Sequence, residues 1–139
     1  MSEFDLILVD TSIWIRFFHV AGSTEARVLD HLISLGLVAT CAPIRAEVVS
    51  GARSKQEFDR LNDSFDALVA LEPPPEMWRH IGEHRFALAR RGHQASIVDV
   101  MIALTAQAHH AALWTLDEDF TRLSTVIPFV VFRPHLLER

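Results

Sequence analysis

The chain has 139 residues, of which half are hydrophobic, with a formal net charge of −5 and a single cysteine. This composition excludes a disordered protein and a disulfide scaffold, and the negative balance argues against nucleic-acid binding through bulk electrostatic attraction. No apolar run approaches the length of a membrane span, and acids stand where a signal peptide would be basic. We therefore predict one cytoplasmic globular domain over residues 1–139.

Short apolar runs alternate along the chain with segments of helical spacing. An uninterrupted apolar run is typical of a strand buried on both faces, and apolar residues three or four positions apart indicate a helix. In chain order, the pattern predicts a strand over 6–9, helices over 11–18 and 24–35, a strand over 37–41, helices over 43–51 and 54–67, a strand over 69–71, helices over 76–91 and 97–110, a strand over 113–115, a helix over 118–123 and a strand over 129–132. This alternation predicts an α/β fold, with a mainly parallel sheet of about five strands flanked by helices.

Four acids lie in or directly against the apolar segments. A buried carboxylate is costly unless something pairs with it, and sites in open α/β sheets form at the carboxyl ends of the strands. Two of these acids, Glu47 and Asp99, lie in predicted helices, and helical spacing places both on faces expected to pack inward. The sequence therefore predicts that these acids point away from solvent and converge on a cation. They are Asp10, Glu47, Asp99 and Asp117.

The residue types narrow the identity of the ion. Sites built from carboxylates favour hard cations, chiefly Mg²⁺ or Mn²⁺, which bind phosphate oxygens and activate water for attack on phosphorus. Ser12 and Thr115 add hydroxyls that could orient a carboxylate or a water. The pattern thus predicts metal-dependent hydrolysis of a phosphodiester.

Each acid also has a simpler interpretation. Asp10, Asp99 and Asp117 each precede or begin a predicted helix, so each could serve as a helix cap, and Asp99 stands three residues after Ser96 in a capping-box pattern. Asp119 could be a cap or a plain surface acid. These alternatives are credible one by one, and the set of acids together favours the metal site.

The predicted helix over 76–91 carries a local excess of basic side chains. Such a run is either a solvated helix face or a rim that contacts phosphates, and the sequence leaves both open. The RNA-contact candidates are Arg85, Arg90 and Arg91.

Four segments resemble, in order, the motifs of the PIN-domain nucleases and, within them, the VapC-type toxins of bacterial toxin–antitoxin systems. They are 7–15 around Asp10, 46–51 around Glu47, 96–103 around Asp99 and 115–120 around Asp117. No single motif is decisive, but the ordered set is specific and spans nearly the whole chain.

The resemblance implies a PIN-like fold and a Mg²⁺- or Mn²⁺-dependent endoribonuclease. Asp10, Glu47, Asp99 and Asp117 would form its acidic cluster, with Asp10 and Asp99 contacting the metal and Asp119 sharing or taking over the role of Asp117. It also implies an RNA substrate, a homodimer and a cognate antitoxin that places a basic or bulky side chain in the acidic pocket.

Three rival interpretations stay open at this point. His80, Glu83 and His84 match an inverted zinc-protease motif, but the motif is short, no third ligand is placed, and an exposed polar helix face is the favoured explanation. The segment from Asp10 to Ser12 is similar to the nucleophile strand of haloacid-dehalogenase-like phosphatases, but Ser12 stands where that chemistry needs a second acid. The third rival is a catalytically inactive module that binds a basic partner peptide and would lack metal-dependent turnover.

Three aromatic residues on the first predicted helix have two possible roles. They could line a partner or dimer surface, or they could pack in the core. They are Trp14, Phe17 and Phe18.

Overall fold

A parallel sheet of five strands, in the order β3-β2-β1-β4-β5, runs through the centre of the molecule. The computed structural model describes residues 3–134. The strands are β1 (Leu6–Val9), β2 (Val38–Thr40), β3 (Val69–Ala70), β4 (Ala111–Trp114) and β5 (Val130–Val131). The predicted fold class, number of strands and parallel pairing are confirmed.

Seven helices connect the strands within the described range. They are α1 (Thr11–His19), α2 (Thr24–Ser34), α3 (Ala42–Ser50), α4 (Lys55–Asp66), α5 (Met77–Arg90), α6 (Ile97–Ala108) and α7 (Asp119–Leu123). Three of them begin with a serine whose hydroxyl accepts a backbone N–H three residues later, at Ser23, Ser54 and Ser96. Over residues 3–134, no helix combines the length and the apolar character needed to cross a membrane.

Two predicted boundaries differ from the structure for backbone reasons. β4 begins at Ala111, two residues earlier than predicted, because His110 adopts a left-handed conformation (φ 52°) that returns the chain to the sheet at once. α5 begins at Met77 because Glu76, also left-handed (φ 57°), forms its N-cap. Both positions turn the chain sharply without a glycine, which sequence patterns do not reveal.

The strands β1 and β4 lie side by side at the centre of the sheet. They pair in register from Leu6 opposite Ala111 to Val9 opposite Trp114. The chain first builds outward from β1 through β2 to β3, and then returns to place β4 on the other side of β1. Since the strand order reverses here, a crevice opens beyond the carboxyl ends of β1 and β4, where ligands bind in folds of this kind.

The aromatic residues of α1 anchor that helix against the sheet. Trp14 is buried and its indole N–H donates to the Val9 carbonyl oxygen at 3.1 Å. Its ring centroid lies 4.9 Å from that of Phe65 on α4, and the half-buried Phe17 and Phe18 pack against it. The structure therefore favours the core interpretation of these aromatic residues, and it fixes the start of α1 directly after β1.

Candidate metal centre

Asp10 lies at the end of β1 and occupies the N-cap position of α1, but its carboxylate does not cap the helix. The Oδ2 atom instead accepts hydrogen bonds from the Ser12 hydroxyl at 3.0 Å and the Thr115 hydroxyl at 2.7 Å. Because these donors solvate the carboxylate, Asp10 can be buried, with 7% of its surface exposed. The helix-cap interpretation of this side chain is therefore wrong.

The same two hydroxyls tie Asp10 to the loop that follows β4. The backbone N–H of Leu116 donates to the Ser12 hydroxyl at 3.0 Å, and that of Asp117 donates to the Thr115 hydroxyl at 3.0 Å. Each hydroxyl thus donates a hydrogen bond to the carboxylate and accepts one from the loop, so it acts as donor and acceptor at once. The network fixes the orientation of Asp10 relative to the end of β4.

Three further acids converge beside this network. One carboxylate oxygen from each of Asp99, Asp117 and Asp119 lies within 4.8 Å of the others. Asp99 lies in the first turn of α6, Asp117 in the loop after β4, and Asp119 at the start of α7. The sequence left open whether Asp117 or Asp119 is the fourth acid, and the structure brings both close to Asp99.

The electrostatic state of Asp99 reflects this clustering. The pKa of Asp99 is raised from 3.8 to about 6, chiefly by burial and then by the charges of Asp117, Asp10 and Asp119, while a hydrogen bond with Ser96 opposes this rise. A carboxyl group with a raised pKa among other carboxylates lacks a compensating positive charge. The arrangement therefore favours the binding of a cation.

Asp117 and Asp119 are also held by local contacts. The Oδ1 atom of Asp117 accepts the backbone N–H of Asp119 at 2.9 Å, and the carboxylate of Asp119 pairs with the Arg122 guanidinium at 2.6 Å. Both acids are exposed, so the pair with Arg122 contributes little to stability. Asp117 thus keeps part of its predicted helix-start role, alongside its position next to Asp99.

The exposure of Glu47 differs from the sequence prediction. We expected this side chain to point away from solvent, but it is exposed. Ile44 and Val48 take the buried positions of α3, and helical rotation therefore leaves Glu47 at the rim. It lines a groove with Thr11 and lies outside the group formed by the three aspartates.

The other three acids differ in how far their predicted burial is met. The predicted burial is wrong for Asp117, which is exposed, whereas it is correct for Asp10 and partly correct for Asp99, which is half-buried.

The arginines of α5 have different surroundings. Arg85 donates from Nε to the Ala95 carbonyl oxygen at 2.9 Å, in the loop that leads to α6. The Arg90 guanidinium lies 5.6 Å from the centroid of the Phe86 ring, and Arg91 is exposed at the end of the helix. A phosphate-contacting role for Arg85, Arg90 and Arg91 stays a prediction.

The zinc-protease motif does not assemble into a metal site. Within residues 3–134, the three aspartates are the one group of three or more potential ligands that converge, and His80 and His84 are not among them. Glu83 instead pairs with Arg79 at 3.6 Å. Burial and the neighbouring His80 lower the pKa of His84.

Two further buried residues, Thr11 and Cys41, lie near the site. Thr11 is 6% exposed, and its hydroxyl has no hydrogen-bond partner among residues 3–134. Burial raises the pKa of the Cys41 thiol to about 11, with a backbone hydrogen bond from Ile44 opposing it. The thiol therefore stays protonated near neutral pH and is a poor nucleophile. No sequence pattern distinguishes Thr11 from an ordinary helix-start threonine.

Comparisons with known proteins agree with this geometry. The family model of the PIN domain matches residues 7–126. Ribonuclease VapC11 of Mycobacterium tuberculosis is 30% identical over 125 residues, covering 87% of this chain and 93% of the relative. The solved structure of VapBC-1 from nontypeable Haemophilus influenzae matches with a TM-score of 0.73 and 18% identity, over 94% of this chain and 98% of that one.

A second solved structure extends the likeness in fold. VapBC-5 from Mycobacterium tuberculosis, described as a member of the VapBC family of toxin–antitoxin systems, matches with a TM-score of 0.62 and 24% identity. This match covers 93% of this chain and 98% of that one. The sequence matches and the shared fold lead to one conclusion: the chain belongs to the PIN-domain family, and its curated relatives are VapC ribonucleases.

Proposed function

We propose that this protein is a divalent-metal-dependent endoribonuclease and the toxin of a toxin–antitoxin pair. Its family membership supports the ribonuclease activity. The observation that carries the metal dependence is the convergence of Asp99, Asp117 and Asp119 next to a buried Asp10 held by two hydroxyls. The site lies where the strand order reverses, which is where a ligand is expected to bind.

The donor set fits a hard cation. All the converging groups are carboxylates, with no thiolate or imidazole among them, and such oxygen ligands suit Mg²⁺ or Mn²⁺ better than Zn²⁺. Both hydrogen bonds to Asp10 end on Oδ2, so Oδ1 can serve a cation without disturbing the network. Asp10 and Asp99 would hold the ion, and Asp117 or Asp119 would complete the site.

When bound, such an ion lowers the pKa of a water molecule and offsets the charge that develops on the phosphate. The side chains provide the positions: Ser12 and Thr115 orient Asp10, and Ser96 fixes the start of the helix that carries Asp99. Glu47 lines the neighbouring groove and would act from the rim. Hydrolysis forms a bond from water oxygen to phosphorus and breaks the bond to the 3′ oxygen, leaving a 5′-phosphate and a 3′-hydroxyl.

A cognate antitoxin would control this activity. Clustered carboxylates attract a basic side chain, so an arginine or lysine of a partner could occupy the acidic pocket and displace the cation. The likeness to the VapC and VapBC proteins supports such a partner.

The test is cleavage of total RNA by purified, partner-free protein with Mg²⁺ or Mn²⁺, with and without EDTA. The Asp99→Asn variant removes one charge and keeps the shape of the side chain, so we expect it to fold and to lose cleavage. Asp63→Asn makes the same chemical change at an exposed acid of α4, away from the site, and should cleave like the wild type.

Discrete cuts that need both the metal and Asp99 would support the proposal, and the fragment ends would reveal the target. Wild-type cleavage by Asp99→Asn, or equal cleavage in EDTA, would contradict it. If neither metal supports cleavage by well-folded protein, an inactive module that binds a basic peptide becomes the better account.

A further inference from the structure

A groove leads away from Asp10 over the surface formed by α1, α3 and α4. Its first part begins at Thr11, directly after Asp10 in the chain, and is also lined by Glu47. Its second part extends to Arg60 and Ser64 on α4. The volume of each part is about 440 Å³, which is typical of clefts that bind ligands. The two parts are continuous because they share five lining residues, which are Phe18, His19, Arg53, Glu57 and Leu61.

The charge of the groove changes along its length. The first part contains Glu47, at the rim of the candidate metal centre. The second part carries two arginines and a histidine against a single acid. These are Arg53, Arg60 and His19, with Glu57 as the acid. In a chain whose net charge is −5, this local excess of basic groups favours a negatively charged ligand.

The two arginines have no charged partner within the described part of the chain. Arg53 and Arg60 are exposed, and neither forms an ion pair with another residue of 3–134. Glu57 is engaged elsewhere, since its Oε2 atom accepts the backbone N–H of Arg53 at 3.3 Å. A guanidinium presents its N–H groups as a planar fork that matches the oxygens of a phosphate. Both side chains are therefore available to a phosphate in the groove.

Phe18 adds an aromatic surface to the same groove. Its ring is half-buried and lines both parts. The buried Trp14 stacks on it, with ring centroids 5.7 Å apart and planes inclined by 19°, so the protein holds the ring in place. Single-stranded nucleic acids are commonly bound by a positively charged groove that follows the backbone and by aromatic side chains that contact the bases. This groove combines both features.

Resting on the ribonuclease activity proposed above, we propose that the groove holds the single-stranded RNA that flanks the scissile phosphate. Arg53 and Arg60 contact phosphates of the flanking nucleotides, and Phe18 contacts a base. The change in charge along the groove fits one strand passing through it: the acids at one end hold the cation, and the arginines at the other hold the substrate. The two arginines thus bind RNA without touching the reacting atoms.

The arginines of α5 are the competing RNA contacts. Arg85 already donates to the Ala95 carbonyl oxygen, and Arg90 lies against the ring of Phe86. The groove arginines lack such engagements and share a continuous cleft with residues beside Asp10. We therefore expect α5 to contribute less to RNA affinity than the groove does.

The salt dependence of RNA binding tests this assignment without relying on catalysis. Fluorescence anisotropy of a labelled single-stranded RNA, with partner-free protein in EDTA, gives the dissociation constant at several salt concentrations. For single strands, each phosphate contact contributes about 0.7 to the slope of log K against log salt. Arg53→Gln and Arg60→Gln should each make the slope shallower by about 0.7, and together they should weaken binding about tenfold at low salt.

Two further variants show whether the position of the lost charge matters. Arg27→Gln is the matched control, because Arg27 is an exposed arginine of α2 that lies outside the groove and has no ion pair within residues 3–134. It should keep the wild-type slope. The joint replacement of Arg90 and Arg91 with Gln tests the competing face, and a larger change in slope there than in the groove variant would overturn the proposal.

Cleavage kinetics separate this inference from the proposed function. With Mn²⁺, joint replacement of Arg53 and Arg60 should raise KM about tenfold and change kcat less than about threefold, as expected for lost binding away from the reacting atoms. Binding through the groove without any cleavage would contradict the nuclease and keep the groove as an RNA surface. An unchanged slope and KM in the folded variant would overturn the proposal and leave the groove to a protein partner. Undetectable binding of RNA by the wild type would overturn it as well.

Discussion

The two sides of the acidic cluster are held in different ways. On the sheet side, Asp10 is buried and receives two hydroxyl hydrogen bonds, both supplied by the protein itself. On the helix side, Asp99 is half-buried among like charges, next to the exposed Asp117 and Asp119. The sheet side is thus organised before any ligand arrives, whereas the helix side carries uncompensated negative charge. We infer that the first side provides position and the second provides the affinity for a cation.

Apart from the loss of Asp99 itself, the largest expected effect of breaking this arrangement comes from the hydroxyls that join its two sides. Replacing Ser12 with Ala and Thr115 with Val removes both donors to Asp10 and both acceptors for the loop after β4. Loss of such supporting hydrogen bonds usually costs about 10- to 100-fold in metal affinity or activity. We expect a loss of at least that size in the rate of RNA cleavage, with a higher Mg²⁺ concentration for half-maximal rate.

Ser34→Ala is the matched control for that variant, since it removes an exposed hydroxyl that bonds only locally to His31. Circular dichroism should show that the double variant is folded. Full cleavage by a folded double variant would mean that Asp10 needs no orientation, and the contrast between the two sides would lose its basis.

A smaller and more selective effect should separate the two exposed acids. Asp119 is already paired with Arg122, whereas Asp117 offers its backbone N–H to Thr115 and lies directly on the network around Asp10. We therefore expect Asp117→Asn to slow cleavage about 10- to 100-fold and Asp119→Asn to slow it only about threefold or less. Initial rates at saturating Mn²⁺ measure both variants. The reverse order would identify Asp119 as the acid that completes the site.

The smallest expected effect concerns stability rather than catalysis. Because the pKa of Asp99 is about 6 in the folded protein and 3.8 in the reference state, ionisation of Asp99 opposes folding. The sign is opposite to that of an ion-paired acid: stability is lost as the pH rises from about 4 to about 6, and the loss persists above that range. After allowance for solvent screening of a half-buried group, the change is on the order of 1 to 2 kcal/mol.

Urea unfolding of metal-free wild type and Asp99→Asn at several pH values measures this difference. The two proteins should be about equally stable near pH 4, and the variant should become the more stable one by pH 6.5. Comparing the two proteins cancels the titration of the other acids. A constant difference across this range would show that Asp99 does not carry the electrostatic penalty.

The sequence was sufficient to predict the order of the elements, and it singled out Asp99 and Asp117, which the structure brings together. Asp10 directly follows an apolar run, and strand ends of this kind define the edge where sites form. The hydrogen bond from Thr115 to Asp10 joins residues 105 positions apart, so only the strand order could show that the hydroxyl reaches the carboxylate. The sequence therefore suggested an orienting hydroxyl without identifying the atom that it orients.

Glu47 shows where the prediction failed. Apolar neighbours at Ile44 and Val48 suggested an inward-facing acid, but a shift of one position around a helix is enough to move a side chain from the core to the rim.

The most direct test of the account is the effect of a divalent ion on the unfolding free energy. Because an ion that binds only the folded state stabilises it, the wild-type protein at pH 7.5 should become steadily more stable as Mn²⁺ is raised above its dissociation constant. Asp99→Asn should show little of this gain, while Asp63→Asn should match the wild type. Equal stabilisation of the wild type and Asp99→Asn, or none in a wild type that still cleaves RNA, would contradict the assignment of the acidic cluster as the cation site.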